Sequence, residues 1–131
     1  MARPCGQFAP VLRCFGSALP AYRFVQVNGS NQGSFSAANG VDVIGVSDGS
    51  NILFDDADHA NVGDAIRLQV GDIKRVEVLT GDTITAGERV SSGANGFAST
   101  SATGDPYFGI ALQTAGGNDF VDIIWMSGIT P

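Results

Sequence analysis

Apolar residues recur along this chain in short runs separated by turn-forming pairs. Residues 22–27 alternate polar and apolar positions before an Asn-Gly pair, and residues 64–70 do so before a Gly-Asp pair. Such alternation predicts half-buried β-strands, and these pairs predict tight turns. Similar runs occupy residues 41–46, 74–79, 88–90, 107–112 and 120–125. The pattern predicts an all-β fold, a small β-barrel or β-sandwich of short strands, with one short helical turn near residues 55–60.

Three segments of the first half of the chain recur in the same order in the second half. Residues 18–25 align with 83–90 at an offset of 65, residues 40–47 with 104–111 at 64, and residues 63–68 with 118–123 at 55. The smaller third offset places an insertion in the first copy. An ordered recurrence predicts an internal duplication. We therefore expect one domain over residues 17–131, with repeat halves 17–80 and 81–131 that share a single core.

Two glycines occupy matched positions of this duplication. Gly45 and Gly109 both lie inside predicted strands, where a glycine marks a bulge or a close backbone approach. We predict that both are structural glycines at corners of the β domain.

Composition and charge narrow the class of protein. Glycine accounts for 18 of the 131 residues, and the chain holds a single lysine, so a long-helix or coiled-coil protein is excluded. The net charge is −6. Residues 1–41 carry three arginines and no acidic residue, whereas the rest of the chain carries four basic and 13 acidic residues. General binding to nucleic acid through its phosphates is therefore not expected.

The basic N-terminal segment differs in character from the β domain. Proline and glycine interrupt residues 1–16, which excludes a long helix or a central strand there. We predict an extended N-terminal docking arm that pairs with another chain; an arm folded onto its own domain is the alternative. The candidate docking residues are Arg3, Phe8, Leu12, Arg13 and Phe15.

Catalytic and metal-binding signals are weak, and we expect no catalytic residues, no cofactor and no metal. His59 is the only histidine and lies in an acidic loop, where an exposed histidine is the simpler interpretation. That loop could collect oxygen ligands for Ca²⁺ but lacks EF-hand spacing. Cys5 and Cys14 match no zinc motif, and reduced thiols are favoured over a disulfide. No secretory signal and no membrane span are expected. The acidic residues of the loop are Asp55, Asp56, Asp58 and Asp64.

A set of loose motifs, taken in order, resembles a known family. The motifs lie at residues 18–25, 44–48, 62–66, 84–90, 93–98, 108–112 and 119–124. Together, over residues 17–126, they resemble the small capsid decoration, or cement, proteins of tailed bacteriophages. The segment before residue 17 matches no motif of that family.

The resemblance implies a non-enzymatic virion protein made in the host cytoplasm. Such proteins are commonly homotrimers on the outer capsid surface, where they bridge neighbouring major capsid proteins and hold the shell against the pressure of packaged DNA. They bind neither nucleic acid nor membrane. Two alternatives remain. One is a head-fibre or adhesin module that binds host glycans. The other is an enzyme-accessory domain, because residues 84–90 also resemble the small β-clip domains of sugar-acid enzymes.

Overall fold

Short strands make up most of the regular structure. A computed structural model describes residues 12–48, 59–60, 62–63 and 65–131. The strands are β1 Arg13–Cys14, β2 Leu19–Pro20, β3 Phe24–Val27, β4 Gln32–Phe35, β5 Val43–Val46, β6 His59–Ala60, β7 Ile73–Glu77, β8 Thr83–Ile84, β9 Arg89–Ser92, β10 Ala98–Thr100, β11 Pro106–Ala111, β12 Ala115–Gly116 and β13 Phe120–Ile129. Within the described ranges the helical content is one 3-10 turn, Ala94–Gly96. The all-β prediction is confirmed.

The strands form two larger sheets and two small ones. The first sheet has the order β1-β4-β3-β5, and the second has the order β10-β9-β11-β13-β7. The pairs β2-β6 and β8-β12 form the small sheets. None of these sheets closes into a barrel, although a single bridge between Val78 and Ala98 links the end of β7 to β10. Of the helical turn expected near residues 55–60, the part that the structure describes, His59–Ala60, is strand β6.

Strand register displays the internal duplication directly. Val25 lies opposite both Phe35 and Gly45, while Val90 lies opposite both Thr100 and Gly109. The offsets between these equivalent residues are 65, 65 and 64. The bridge Ser47–Leu68 likewise corresponds to the pair Ala111–Ile123, at offsets of 64 and 55. These are the three offsets found in the sequence.

The duplication also includes strand β1. The pairs Arg13–Ala65 and Cys14–Gly33 correspond to Glu77–Phe120 and Val78–Ala98, at the same offsets. Residues 12–15 therefore occupy the positions of residues 76–79. We call residues 12–70 repeat 1 and residues 76–131 repeat 2, following this strand pairing; the bounds 17–80 and 81–131 stay a prediction from the sequence.

The buried apolar residues form two clusters, one within repeat 1 and a larger one in repeat 2 to which repeat 1 also contributes. The cluster of repeat 1 contains Cys14, Leu19 and Val25, packed against Leu12, Phe35, Ile66 and Leu68. Equivalent positions in repeat 2 carry Val76, Val78, Ile84, Val90, Val121 and Ile123, all fully buried. Two residues of repeat 1, Phe24 and Val46, join the cluster of repeat 2. Together with the partly buried Val43, which packs against the same cluster, these residues form the apolar contact between the repeats.

Candidate docking surfaces

The described part of the predicted arm lies on repeat 1. Arg13–Cys14 pairs in parallel with β4. Leu12 is half-buried over Gly33, where an added Cβ would stand 2.9 Å from Leu12 Cδ2. The side chain of Arg13 is exposed, and its Nη1 donates a hydrogen bond of 3.2 Å to the carbonyl oxygen of Gly63. The first residues after position 11 are thus anchored on their own domain.

Phe15 has half of its surface accessible, more than the other apolar residues of the described part of this segment. It lines an open groove of about 350 Å³ together with Phe35, Gln26 and Asn95. The candidate docking residues Arg3 and Phe8 lie outside the described residues. The structure therefore brings Leu12, Arg13 and Phe15 onto one edge of repeat 1, and the docking role of the arm stays a prediction.

The two matched glycines lie where strands approach each other closely. A Cβ on Gly109 would stand 2.8 Å from Cβ and 2.6 Å from Cδ1 of the buried Ile123. Leu68 is the residue equivalent to Ile123. A Cβ on Gly45 would stand 3.2 Å from Cδ1 of Leu68. The strand register shifts close to both glycines. The shift lies between Val25 and Gln26 in the β3–β5 pairing, and between Tyr107 and Gly109 in the β11–β13 pairing.

The weak chemical candidates of the sequence gain no support from the structure. The acidic residues of the loop and Cys5 lie outside the described residues, and only the backbone of His59 is described. The described ranges hold no group of three side chains suited to bind a metal ion. Cys14 is buried, with its Sγ 3.2 Å from the carbonyl oxygen of Ser17. Across the same ranges, no helix has the length and apolarity needed to span a membrane.

An exposed apolar face on repeat 2 was missed by sequence reasoning. Ile73, Ile124 and Ile110 lie side by side across β7, β13 and β11. Ile73 is 58% exposed and Ile124 is 39% exposed, while Ile110 is half-buried. Met126, two residues beyond Ile124 on the same strand, is 46% exposed. We call these four residues the outer face of repeat 2. The signal for this face in the sequence is the unbroken apolar run at residues 123–126. A strand with one solvated face alternates apolar and polar residues, so an unbroken run places apolar side chains on both faces.

A charged pair borders this face. Arg75 and Asp122 lie opposite each other on β7 and β13 and form a bidentate ion pair, with nitrogen–oxygen distances of 2.8 and 3.2 Å. The hydrogen bonds from Arg75 lower the pKa of Asp122, opposed by partial desolvation. This ion pair therefore forms a polar border next to Ile73 and Ile124 of the outer face.

Comparison of the sequence with known protein families identifies the family of this chain. The sequence profile of a family described as phage cement proteins matches residues 15–124. The chain belongs to the phage cement protein family. It is thus a structural protein of the phage virion. No curated protein matches the chain.

A solved structure is similar to this cement-family chain in fold. It is the crystal structure of the N base of head fiber gp8.5 in bacteriophage phi29, with a TM-score of 0.65 and 20% sequence identity. The match covers 88% of this chain and 91% of that chain. The family match includes Phe15, both matched glycines, and Ile73, Ile110 and Ile124 of the outer face, and it ends before Met126. Arg3, Phe8, Leu12 and Arg13 precede it.

Proposed function

We propose that this cement-family protein binds the outer surface of an assembled phage capsid as a homotrimer. In this role it links neighbouring major capsid proteins and stabilises the shell against the pressure of packaged DNA. The observation that carries the proposal is the exposed apolar row of Ile73, Ile124 and Ile110 on a folded, acidic β domain. Such a face favours association with protein surfaces. The family match supplies the phage particle as its setting.

The proposed mechanism is thermodynamic linkage. A protein that binds the assembled shell and not its separated subunits stabilises the shell by mass action. At a free concentration 100 times the dissociation constant, each occupied site contributes about 2.7 kcal/mol. Contacts from several subunits of one trimer to one lattice add avidity, so moderate contacts suffice. No catalytic step is needed, and we propose no enzymatic activity, no cofactor and no binding of nucleic acid.

The proposed arm supplies a second contact of opposite charge. Residues 1–41 carry a net charge of +3, and the remaining residues carry −9. Because Leu12 and Arg13 are anchored on repeat 1, residues 1–11 are joined to a fixed position on that repeat. We propose that Arg3 and Phe8 contact an acidic surface of the major capsid protein. Charge complementarity there sets register and association rate more than affinity.

The test is thermal disruption of DNA-filled capsids that lack this protein, with the protein added back at increasing concentrations. Disruption is measured by the fluorescence of a dye that binds the released DNA. We expect the disruption temperature to rise with concentration and to saturate at a fixed stoichiometry. A heat-denatured sample of the same protein is the control. Folded protein that leaves the disruption temperature unchanged at saturating concentration contradicts the proposal.

A head-fibre or adhesin module remains the second candidate, because the similar solved structure is the base of a head fiber. A glycan array separates the two. Specific glycan binding without any effect on capsids favours the adhesin, and capsid stabilisation without glycan binding favours the cement protein.

A further inference from the structure

The contact between the two repeats buries one face of repeat 1. Phe24 and Val46 lie opposite each other on β3 and β5, and both are fully buried. The ring of Phe24 lies 6.0 Å from that of Phe108 and 6.4 Å from that of Trp125. Phe108 and Trp125 stack on each other at the surface of repeat 2 that receives this face. We call the Phe24 side the donor face of a repeat, and the Phe108–Trp125 side its acceptor face.

Among the described residues, no part of the chain covers either of the two remaining faces. In repeat 2 the donor positions of Phe24 and Val46 are occupied by Arg89 and Ile110, which pair in the same register. Next to them, Ile124 stands at the position of Gln69. The donor face of repeat 2 is therefore the outer face described above, extended by Arg89.

The acceptor face of repeat 1 is also apolar and exposed. Ile44 takes the position of Phe108, and Val70 takes the position of Trp125. Ile44 is 42% exposed and Val70 is 91% exposed. Burying such residues is favourable by area, so the protein carries one unused donor face and one unused acceptor face.

An ion pair at the contact between the repeats has a counterpart with exchanged signs. Arg23 lies 3.7 Å from Glu77 across this contact, and both side chains are largely buried. Burial lowers the pKa of Arg23, and Glu77 opposes this shift. The residue equivalent to Arg23 is Glu88, and the residue equivalent to Glu77 is Arg13. An arrangement of the same kind between two copies would therefore again place opposite charges together.

We infer that the donor face of repeat 2 packs on the acceptor face of repeat 1 in a second copy of this chain. In this contact Ile110 and Ile124 of one copy cover Ile44 and Val70 of the next, and Glu88 meets Arg13. Each copy uses each face once, so the contact is head-to-tail, and a ring of copies leaves no face open. The inference rests on the proposed homotrimer and names its contact surfaces.

At one point the two faces must lie farther apart in the proposed contact between copies than in the contact within a chain. Gly96 lies at the internal contact with a φ of +76°, and a Cβ there would stand 2.6 Å from the carbonyl oxygen of Phe24. The equivalent residue of repeat 1 is Asn31, which carries a side chain. The facing carbonyl in the next copy, that of Arg89, must therefore stand farther away than in the internal contact.

The test uses the full chain with two single substitutions, one on each face. Ile124→Asp charges the donor face of repeat 2, and Val70→Asp charges the acceptor face of repeat 1. Val41→Asp is the matched control, because Val41 is 72% exposed and lies on neither face. Light scattering coupled to size exclusion should give a trimer for the wild type and the control, and a monomer for each of the other variants.

A mixing experiment then tests the head-to-tail arrangement. The Ile124→Asp chain keeps an intact acceptor face, and the Val70→Asp chain keeps an intact donor face. An equimolar mixture should form a dimer of one chain of each kind and grow no further. Any association of Val70→Asp alone overturns the inference, whether a trimer or a symmetric dimer through two donor faces, since the copies are then held together without Val70. A monomeric wild-type protein also overturns it.

Charge exchange provides an independent readout. Arg13→Glu and Glu88→Arg should each raise the dissociation constant of the trimer, by about tenfold or more, and the double variant should restore association. A double variant as weak as the single variants contradicts the proposed ion pair. Capsid binding separates the two proposals. A trimer without effect on capsids refutes the cement function and leaves this contact intact, whereas a monomer that stabilises capsids refutes the homotrimer and this contact and leaves the stabilising role.

Discussion

Gly109 and Gly45 occupy equivalent positions in the two repeats, yet an added methyl group meets different surroundings at each. At Gly109 the new Cβ would stand 2.8 Å from Cβ of the buried Ile123, an atom fixed to the backbone of strand β13. At Gly45 it would stand 3.2 Å from Cδ1 of Leu68, the end of a half-buried side chain. The first clash requires movement of a strand, and the second requires only rotation of a side chain.

We therefore expect Gly109→Ala to destabilise the protein by about 2–3 kcal/mol, near the upper end for overpacking of a core. Gly45→Ala should change the stability by less than about 1 kcal/mol, because the better strand propensity of alanine offsets a small adjustment. Gly109→Val, which adds two further methyl groups, should impair folding itself.

Urea unfolding followed by tryptophan fluorescence provides the assay, because the single tryptophan, Trp125, lies in the contact between the repeats. All variants are compared at one protein concentration, since association shifts apparent stability. The midpoint for Gly109→Ala should fall below that for Gly45→Ala by about 1 M urea. Equal midpoints for the two alanine variants would refute the close approach of β11 and β13 as the role of Gly109.

Three further predictions follow from the anchored arm, the surface ion pair and the buried lysine. Deleting residues 1–11 should weaken capsid binding without changing the thermal midpoint. Deleting residues 1–16 should also lower the midpoint, because it removes β1; equal midpoints would contradict the placement of β1 in repeat 1. Asp122→Asn should lower the midpoint at pH 7, and the difference should shrink as the pH falls below about 4, because the pKa of Asp122 is lowered in the folded state and its stabilisation is lost only as the pH falls through that lowered pKa. A difference that stays the same from pH 7 down to about pH 2 would contradict this origin. Lys74→Met should cost about 1–3 kcal/mol in urea unfolding, because the buried ammonium donates two hydrogen bonds of 2.9 Å to carbonyl groups near the junction of the repeats; an unchanged midpoint would contradict that role.

The duplication could be predicted from sequence because its constraints are local. Val25 and Val90 are core positions, and Gly45 and Gly109 mark the same close approach of strands. Both kinds of constraint restrict the residue type at a fixed spacing, so the offsets of 65, 64 and 55 survive in the sequence and reappear in the strand register.

The start of repeat 1 could not be predicted in the same way. Residues 12–15 read Leu-Arg-Cys-Phe and residues 76–79 read Val-Glu-Val-Leu, so the two segments share alternation but no identical residue. Their central charges are opposite. This makes the segment look like a separate basic arm, whereas strand pairing places it beside β4.

The outer face of repeat 2 depends on register, which sequence alone does not supply. Ile73 and Ile110 are far apart in the chain and become neighbours of Ile124 only when β7 and β11 flank β13. The equivalent positions of repeat 1 carry the fully buried Val46 and the half-buried Gln69, because repeat 2 covers that face. The difference between the repeats therefore reflects which face is already covered within one chain.

The most direct test of the cement function is an electron-microscopy reconstruction of capsids with and without the protein. We expect added density on the outer surface, with three copies at each site and contacts to at least two neighbouring major capsid protein subunits. Density inside the shell, or a site that touches one subunit alone, would contradict it.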